Sequence, residues 1–542
     1  MSEVIKYPND APAPSLVAVV AERASSTPNR TFLRDVDGNA ATYAQSYRRA
    51  GCWTTVLRSV GVSPGDRVIT MVPNSVESVQ LWMGIAGCGA IETPVHPAFK
   101  SGLLEHAVNA VEAQVVIITA DALPRFIASL PRLTRVTHLL VLGTIAGVDA
   151  GDVHVFDAEA QLDDARPATS REVAPFHYPS VILYTSGTTG PSKPVIVPWG
   201  QLQVSAQGAL PYDDLDETDV LYVYFPPSHI GAKQWTYLAA LIGGSVLLRT
   251  SFKTDEFLDD VRRYGITSAG LIGAMAHFLQ GQPEAAADRD IPLRNIVMGP
   301  LLPDLDAFKE RFGVRVHTCF GMTELSVPIR ADGWSTNNPA AAGKRWMGWP
   351  YFETRLVDEH DREVAVGETG ELMVRVGVPW TITPGYFGMP EATAEAWRNG
   401  WFHTGDVFRT DAEGYFYFVD RGKDCIRRRA ENISSFEVEA AALTHPDVAD
   451  AAAVGVPADT NEEEIKLFLV AKPGVLVDPV SIINHLNEQL PKFMVPRYIE
   501  LIDELPKTPT MRTQKHLLRN RPLDENTWDR SSRQLPQRTG RT

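Results

Sequence analysis

Cysteine is nearly absent from this sequence: Cys52, Cys88, Cys319 and Cys425 are the only four. They stand too far apart to offer the close pairs that ligate zinc or build a disulfide framework, so they read as reduced packing residues. Long apolar runs are missing too. Nowhere do ~18 apolar residues follow one another, the minimum for a helix that spans a membrane. The first residues, MSEVIKYPNDAPAPS, lack the positive segment and apolar stretch of a secretory signal. Basic charge is in deficit, with 51 Lys and Arg against 66 Asp and Glu and a formal charge of -15. Neither nucleic acid nor an anionic membrane is therefore an expected partner through overall charge. Any phosphate must be held locally, and a cytoplasmic setting is expected.

The chain of 542 residues is too long for one core and implies several domains of roughly 100 to 200 residues each. Residues 42–60 place Tyr43, Tyr47, Ala50 and Leu57 on one helical face behind a Thr42 cap, and GVSPGD turns into the strand-like VITMV. A second helix carries Val76, Val79, Met83, Ala86 and Ala90. VVIIT (115–119), LLVL (139–142), VLYVYF (220–225), SVLLR (245–249), AGLIGAM and NIVMG read as buried strands or strand starts, with a helix at 254–264. Such alternation predicts a mostly parallel sheet covered on both faces.

After about residue 345 the texture changes to short strands and turns, ETRLVDE, GELMVRV and GYFYFV, which predicts a β-rich subdomain. Beyond the charged stretch DRGKDCIRRRAENISSFEVE (420–439) lie AAAVGV, IKLFLVA, PVSIINHLNEQL and RYIELID, a compact α+β set. The expected fold class is α/β: a large N-terminal domain, 1–420, of βα-repeat subdomains plus a β-rich subdomain, then a small α+β C-terminal domain, 421–525. The polar, Arg-rich end, 526–542, is expected to be a disordered tail.

One stretch buries almost nothing. YTSGTTGPSKP, 184–194, follows the apolar Val181-Ile182-Leu183 and packs hydroxyls, glycines and Lys193 together. A strand running into such a loop offers backbone N–H groups and short side chains to phosphate oxygens. The P-loop pattern GxxxxGK[ST] is not met, because Ser192 stands where its second glycine belongs.

Further segments occur in order: CFGMTEL (319–325), GWFHTGD (400–406), DRGKD from 420 and LPKTPT (505–510). With the polar loop, they make the chain resemble the adenylate-forming superfamily, and within it the acyl-CoA synthetases, over roughly residues 30 to 520. That resemblance implies activation of a carboxylic acid by Mg-ATP to an acyl-adenylate, then displacement of AMP by a thiol, usually CoA. It implies that Thr185, Ser186, Gly187, Thr188, Thr189, Gly190 and Lys193 clasp the β- and γ-phosphates, with Thr185 also close to the chemistry. Phe320 would stack on adenine, flanked by Gly321 and Met322. Thr323 would bond the α-phosphate, and Glu324, with Thr188, would meet magnesium.

By the same resemblance, Asp406 accepts the ribose hydroxyls, with Phe418 nearby, and Arg421 contacts ribose and phosphate. His229 would be the ring between acyl pocket and pantetheine tunnel. Residues 273–275, Gly299, Pro300, Leu301 and Gly321 would line the acyl pocket. Lys423 would be the hinge on which a mobile C-terminal domain swings. Arg427, Arg428 and Arg429 suit the CoA phosphates, or else form a solvated basic face, and Arg429 and Ala430 would border the pantetheine passage.

Three positions depart from the pattern. The family's PKTxTGKI carries a catalytic lysine where PKTPTMRTQK has Arg512. Arginine keeps the charge but is broad and planar where lysine is a compact point charge. Losing one well-placed electrostatic donor costs ~10² to 10³ in rate. Lys507 or Lys515 could substitute only through a register shift. Pro194 replaces a glycine and stiffens the clasp; Ala430 replaces another. The expectation is an acyl-CoA ligase with weak or absent adenylation, supplied with acyl-adenylate by a separate adenylating ligase. The alternatives are an ordinary two-step synthetase and acyl transfer to a carrier protein.

Overall fold

A computed structural model describes residues 6–8, 10–99, 101–145, 147–185, 192–336, 338–421, 426–428, 431–433, 435–457, 463–490, 492–508 and 511–531. The chain forms two compact units: Met1–Thr354 with Val374–Phe402, and Arg355–Met373 with His403–Thr542.

The first unit holds two seven-stranded sheets. In one, the strands His154–Asp157, His138–Leu142, Val115–Thr119, Arg67–Met71, Ile91–Pro94 and Pro179–Thr185 lie side by side and parallel, and Lys193–Pro198 closes the edge antiparallel. Both faces are covered, as the continuous apolar runs predict. Val116 and Ile118 pack into one core and Val115 and Ile117 into another on the opposite face. In the second sheet Arg315–His317, Asn295–Gly299, Ser268–Ile272, Val220–Val223, Ser245–Leu248 and Thr31–Asp35 are parallel, with Ala40–Thr42 antiparallel at the edge. A shared core draws Val181 and Leu183 from the first sheet, and Leu33, Leu221 and Val246 from the second.

The helix expected behind Thr42 is Tyr43–Ser59. Thr42 Oγ1 accepts from the Gln45 N–H at 3.2 Å and Gln45 Oε1 accepts from the Thr42 N–H at 2.8 Å, a reciprocal cap. The second helix, Val76–Gly87, stops short of Ala90 because Gly89 turns into the left-handed region at φ 71°. A buried ion pair ties the sheets together: Lys233, on the helix Ile230–Ile242, donates to Glu92 of the strand Ile91–Pro94. The Thr70 hydroxyl donates to the same carboxylate at 2.8 Å, and the ammonium lies 4.3 Å from the Trp82 ring.

The second unit carries the hairpin formed by the strands Phe402–Thr410 and Tyr415–Arg421. It also holds a four-stranded sheet in the order Val448–Pro457, Glu463–Ala471, Tyr498–Leu501, Thr527–Asp529. The helices Ser435–Leu443 and Pro479–Gln489 cover that sheet. The last strand corrects one expectation. Thr527–Asp529 opens the stretch taken as a disordered tail, yet it pairs antiparallel with Tyr498–Leu501 and buries Trp528. One large aromatic in a polar segment supplies enough apolar area to anchor it. Residues 532–542 lie outside the described residues.

Cys52, Cys88 and Cys319 are free thiols, and burial pushes Cys88 and Cys319 up to about 12. Among the described residues no group of three His, Cys, Asp or Glu could hold a metal, and no helix is long and apolar enough to cross a membrane.

Burial also holds the fully enclosed His317 imidazole down at about 4, with its Nδ1 2.6 Å from the Gly333 carbonyl oxygen. An unfolded histidine takes up its proton near pH ~6.5. Native stability is therefore complete above that pH and falls as the pH drops from there toward 4, by about 3 kcal/mol at ~1.36 kcal/mol per pKa unit. Urea unfolding across this range should show the slope, and His317→Gln should flatten it.

Candidate active site

The strand Pro179–Thr185 and the antiparallel Lys193–Pro198 form a hairpin whose last pair sets Thr185 opposite Lys193. Ser186, Gly187, Thr188, Thr189 and Gly190, expected as the heart of a phosphate clasp, lie outside the described residues. Pro194, paired with Tyr184, has no N–H to give, but its carbonyl accepts from Phe387 N–H at 2.8 Å. The outer side of this strand is thereby covered: Gly385 accepts from Ile196 N–H at 3.1 Å, and Val195 bridges Tyr386.

A second hairpin, Cys319–Met322 with Ser326–Arg330, presents Thr323 and Glu324 at its tip. Two backbone features make the tip tight. A Cβ on Gly321 would come within 2.4 Å of the Ser326 carbonyl oxygen, so only glycine fits. Ser326 itself sits at φ 66°, where side chains other than glycine's are strained. Anchors hold the tip: Thr323 O accepts from the Gln201 side chain, Glu324 O accepts from Thr383 N–H at 2.8 Å, and the Ser326 hydroxyl donates to Thr381 O at 2.9 Å. Phe320 stands opposite the buried Ile329.

These two hairpins meet. The Thr185 hydroxyl lies 3.5 Å from Glu324 Oε1 and the Tyr386 hydroxyl 3.4 Å from the same oxygen. Both are long for O–H···O bonds, whose usual separation is about 2.7 to 2.8 Å. The Lys193 ammonium lies 4.7 Å from the Tyr386 ring centroid. Burial, and then the Glu324 charge, push the Tyr386 hydroxyl up, so it remains a proton donor. A hydroxyl, a carboxylate, a phenol and an ammonium thus converge in one unit. Tyr386 was not among the residues expected from sequence; an aromatic after Pro-Gly was its sole local signal.

His229 precedes the helix Ile230–Ile242 and caps it, its Nδ1 accepting from Gly231 N–H at 3.0 Å. A neutral ring accepting at Nδ1 carries its proton on Nε2. Its ring stacks on Phe225 with centroids 5.1 Å apart. Gly273, at the start of the helix Gly273–Gln280, faces Pro300: an added Cβ would lie 3.2 Å from that ring. Gly299 ends its strand beside the Cys319 carbonyl.

In the second unit Asp406 is buried and stands opposite Arg421. Its N–H donates to Thr404 Oγ1 at 3.0 Å, and Thr404 Oγ1 donates to Leu372 O at 2.7 Å. The Phe418 ring makes edge contacts with Phe408 and Phe436, at 5.4 and 6.1 Å. Lys423, Arg429 and Ala430 lie outside the described residues.

Residues 20–387 match the AMP-binding enzyme family and residues 437–512 the AMP-binding enzyme C-terminal domain. The chain belongs to the AMP-binding enzyme family. The crotonobetaine/carnitine–CoA ligase of Salmonella arizonae is 31% identical over 481 residues, 86% of this chain and 90% of the relative. That of Citrobacter koseri is 32% identical over 478 residues, with the same shares covered. Solved structures share the fold. The anthranilate CoA ligase AuaEII in complex with anthranoyl-AMP superposes with a TM-score of 0.83 at 23% identity, covering 95% of this chain and 97% of its own. ATP-bound MatB from Rhodopseudomonas palustris gives 0.81 at 24% identity, covering 93% and 98%.

Within this AMP-binding enzyme the segment 506–513 reads PKTPTMRT and departs from the pattern PKTxTGKI at three adjacent residues, Met511, Arg512 and Thr513. Met511 occupies the glycine position and keeps a left-handed backbone, φ 62°, which costs a non-glycine residue roughly 1 to 2 kcal/mol. Arg512 is exposed. Its N–H donates to Thr508 Oγ1 at 3.1 Å, while its carbonyl accepts from Thr508 N–H at 2.8 Å, closing a tight loop.

Neither lysine that could stand in for it is spare in this arrangement. Lys507 pairs with Asp450. Lys515 pairs with Glu439 at 2.7 Å and donates to the Ser435 hydroxyl. Ser435 in turn reaches Asp420, its N–H donating at 2.6 Å. Lys507→Met and Lys515→Met should therefore lower the melting temperature without changing the rate of ATP–pyrophosphate exchange per folded molecule. A selective collapse of exchange in either would identify that lysine as the stand-in.

Proposed function

We propose that this AMP-binding enzyme is an acyl-CoA ligase, an acid–thiol ligase of the acyl-CoA synthetase type, whose thioester-forming half is competent and whose adenylation half is weak. Its substrates are a carboxylic acid or the corresponding acyl-adenylate, and CoA. The relatives, named as CoA ligases of crotonobetaine and carnitine, are in keeping with that class. The observation that carries the reading is the convergence of Thr185, Lys193 and Glu324. A hydroxyl, a cation and a carboxylate in one place suit a triphosphate and its counterion.

The donor set fits magnesium, which binds through one or two carboxylates plus substrate phosphates and keeps several waters. Glu324 and Thr188 would hold it, and bound there it would neutralise phosphate charge. In adenylation a carboxylate oxygen bonds the α-phosphorus and pyrophosphate leaves; in thioester formation the thiol gives up its proton to solvent, its sulfur bonds the carbonyl carbon, and the carbon–oxygen bond to AMP breaks. Thr323 would donate to the α-phosphate and Phe320 would cover adenine. Asp406 and Arg421 would hold the ribose, beside Phe418. Gly299, Pro300 and Leu301 would bound the acyl chain, with His229 at the mouth toward the thiol. Arg429 and Ala430 would border the pantetheine arm, and the part of the chain beyond Asp420 would pivot on Lys423 between the two half-reactions.

Adenylation is the weak half because of Met511 and Arg512. A guanidinium is wide and planar and delivers its charge over a fork, whereas the point charge of an ammonium fits a narrow approach to the α-phosphate. Thiol attack does not need this residue. The enzyme is therefore suited to acyl-adenylate released by a separate adenylating ligase.

The initial rate of thioester formation from acid, ATP and CoA should be lower than from synthetic acyl-AMP and CoA by ~10² to 10³, the cost of one lost electrostatic donor. The double substitution Met511→Gly, Arg512→Lys should close most of that gap. Equal initial rates from the unaltered chain would establish an ordinary two-step synthetase instead.

A further inference from the structure

Tyr386 touches both charged members of the cluster through different parts of one side chain. Its hydroxyl lies 3.4 Å from Glu324 Oε1, and its ring centroid 4.7 Å from Lys193 Nζ. The backbone gives it little freedom. Tyr386 bridges Val195, its N–H donates to Thr393 Oγ1 at 3.0 Å, and the neighbouring Phe387 N–H donates to Pro194 O at 2.8 Å. The tyrosine is thus fastened to the strand that carries Lys193, and it is largely buried.

We propose that Tyr386 is a positioning residue for the triphosphate end of the site: its hydroxyl aims the Glu324 carboxylate, and its ring carries the Lys193 ammonium until phosphate takes it. The proposal rests on the reading of Glu324 and Lys193 given above and adds a group that sets both. An aromatic face attracts a cation without neutralising it, so the ammonium stays available to a stronger acceptor. A phosphate oxygen is such an acceptor, since hydrogen bonds between charged groups are the strong ones. The phenol acts differently. It donates one hydrogen bond to a carboxylate oxygen and so orients a group that suits a hard cation.

The two contacts separate by substitution. Tyr386→Phe keeps the ring and its packing and removes the hydroxyl; Tyr386→Leu removes both. The measurement is calorimetric binding of α,β-methylene-ATP, with and without Mg²⁺, and of AMP as a nucleotide lacking β- and γ-phosphates. For Tyr386→Phe the affinity for the analogue should fall about tenfold with Mg²⁺, as expected for losing a hydrogen bond to a charged group. Without Mg²⁺ it should hold. Tyr386→Leu should weaken the analogue in both conditions, and AMP should bind all three proteins alike.

A merely structural tyrosine would lower the melting temperature and shift AMP and analogue together, or shift neither; either result with Tyr386→Phe overturns the proposal. Because that variant is nearly isosteric, it remains informative if Tyr386→Leu does not fold. An unaltered chain that binds AMP but not the analogue would remove the triphosphate reading together with this one. An analogue that binds with the same Mg²⁺ dependence in Tyr386→Phe would remove the tyrosine assignment alone.

Discussion

Everything proposed for the nucleotide end of this enzyme depends on one antiparallel strand pair at the edge of a parallel sheet. Lys193–Pro198 returns along Pro179–Thr185, and the register ends with Thr185 against Lys193. A slip of one residue would turn every side chain of the returning strand to the other face. The register is secured by burial, since Val195 and Val197 lie in the core. The segment Gly385–Phe387 binds the other side of the same strand. That second pairing brings Tyr386 to Lys193, and the neighbouring hairpin tip then brings Glu324 to Tyr386.

Two of the strained backbone positions stand where chemistry is expected. Ser326 and Met511 both adopt left-handed φ values without being glycine, an arrangement that costs energy and persists when surrounding contacts determine it. At Ser326 the contacts are plain: its hydroxyl lies 2.9 Å from Thr381 O and 3.1 Å from Gln201 O, within reach to donate to either. At Met511 the Thr508–Arg512 hydrogen bonds close the loop. The first strained turn presents Glu324, and the second presents Arg512.

Charge is managed by two different means. Deep in the first unit Lys233 is answered by Glu92, and in the second unit Lys466 is answered by Glu500 at 2.7 Å, both pairs almost fully enclosed. Breaking such a pair typically costs about 3 to 5 kcal/mol, because the remaining charge is left buried and alone. At the candidate site the cation rests on an aromatic face instead. A tight carboxylate partner would compete with phosphate, whereas a ring yields the ammonium to it.

Much of the fold was legible in residue order. The unbroken burial of VVII (115–118), the Thr42 cap and the alternation of apolar runs with helical faces follow from contacts within a few residues. The polar segments that carry Thr185, Lys193 and Glu324 were also legible, because each is contiguous. Tyr386 was not. It reaches Glu324 across 62 residues, through strand pairing that no local pattern encodes. The pairing of Lys515 with Ser435, 80 residues apart, was equally hidden, as was the strand Thr527–Asp529, whose place depends on a partner edge. By itself the sequence determined which segments are strands, helices and polar loops, since burial periodicity and turn chemistry are local. The tertiary structure alone decided which charges face one another, because that depends on registers between distant strands and on the low-dielectric surroundings they create.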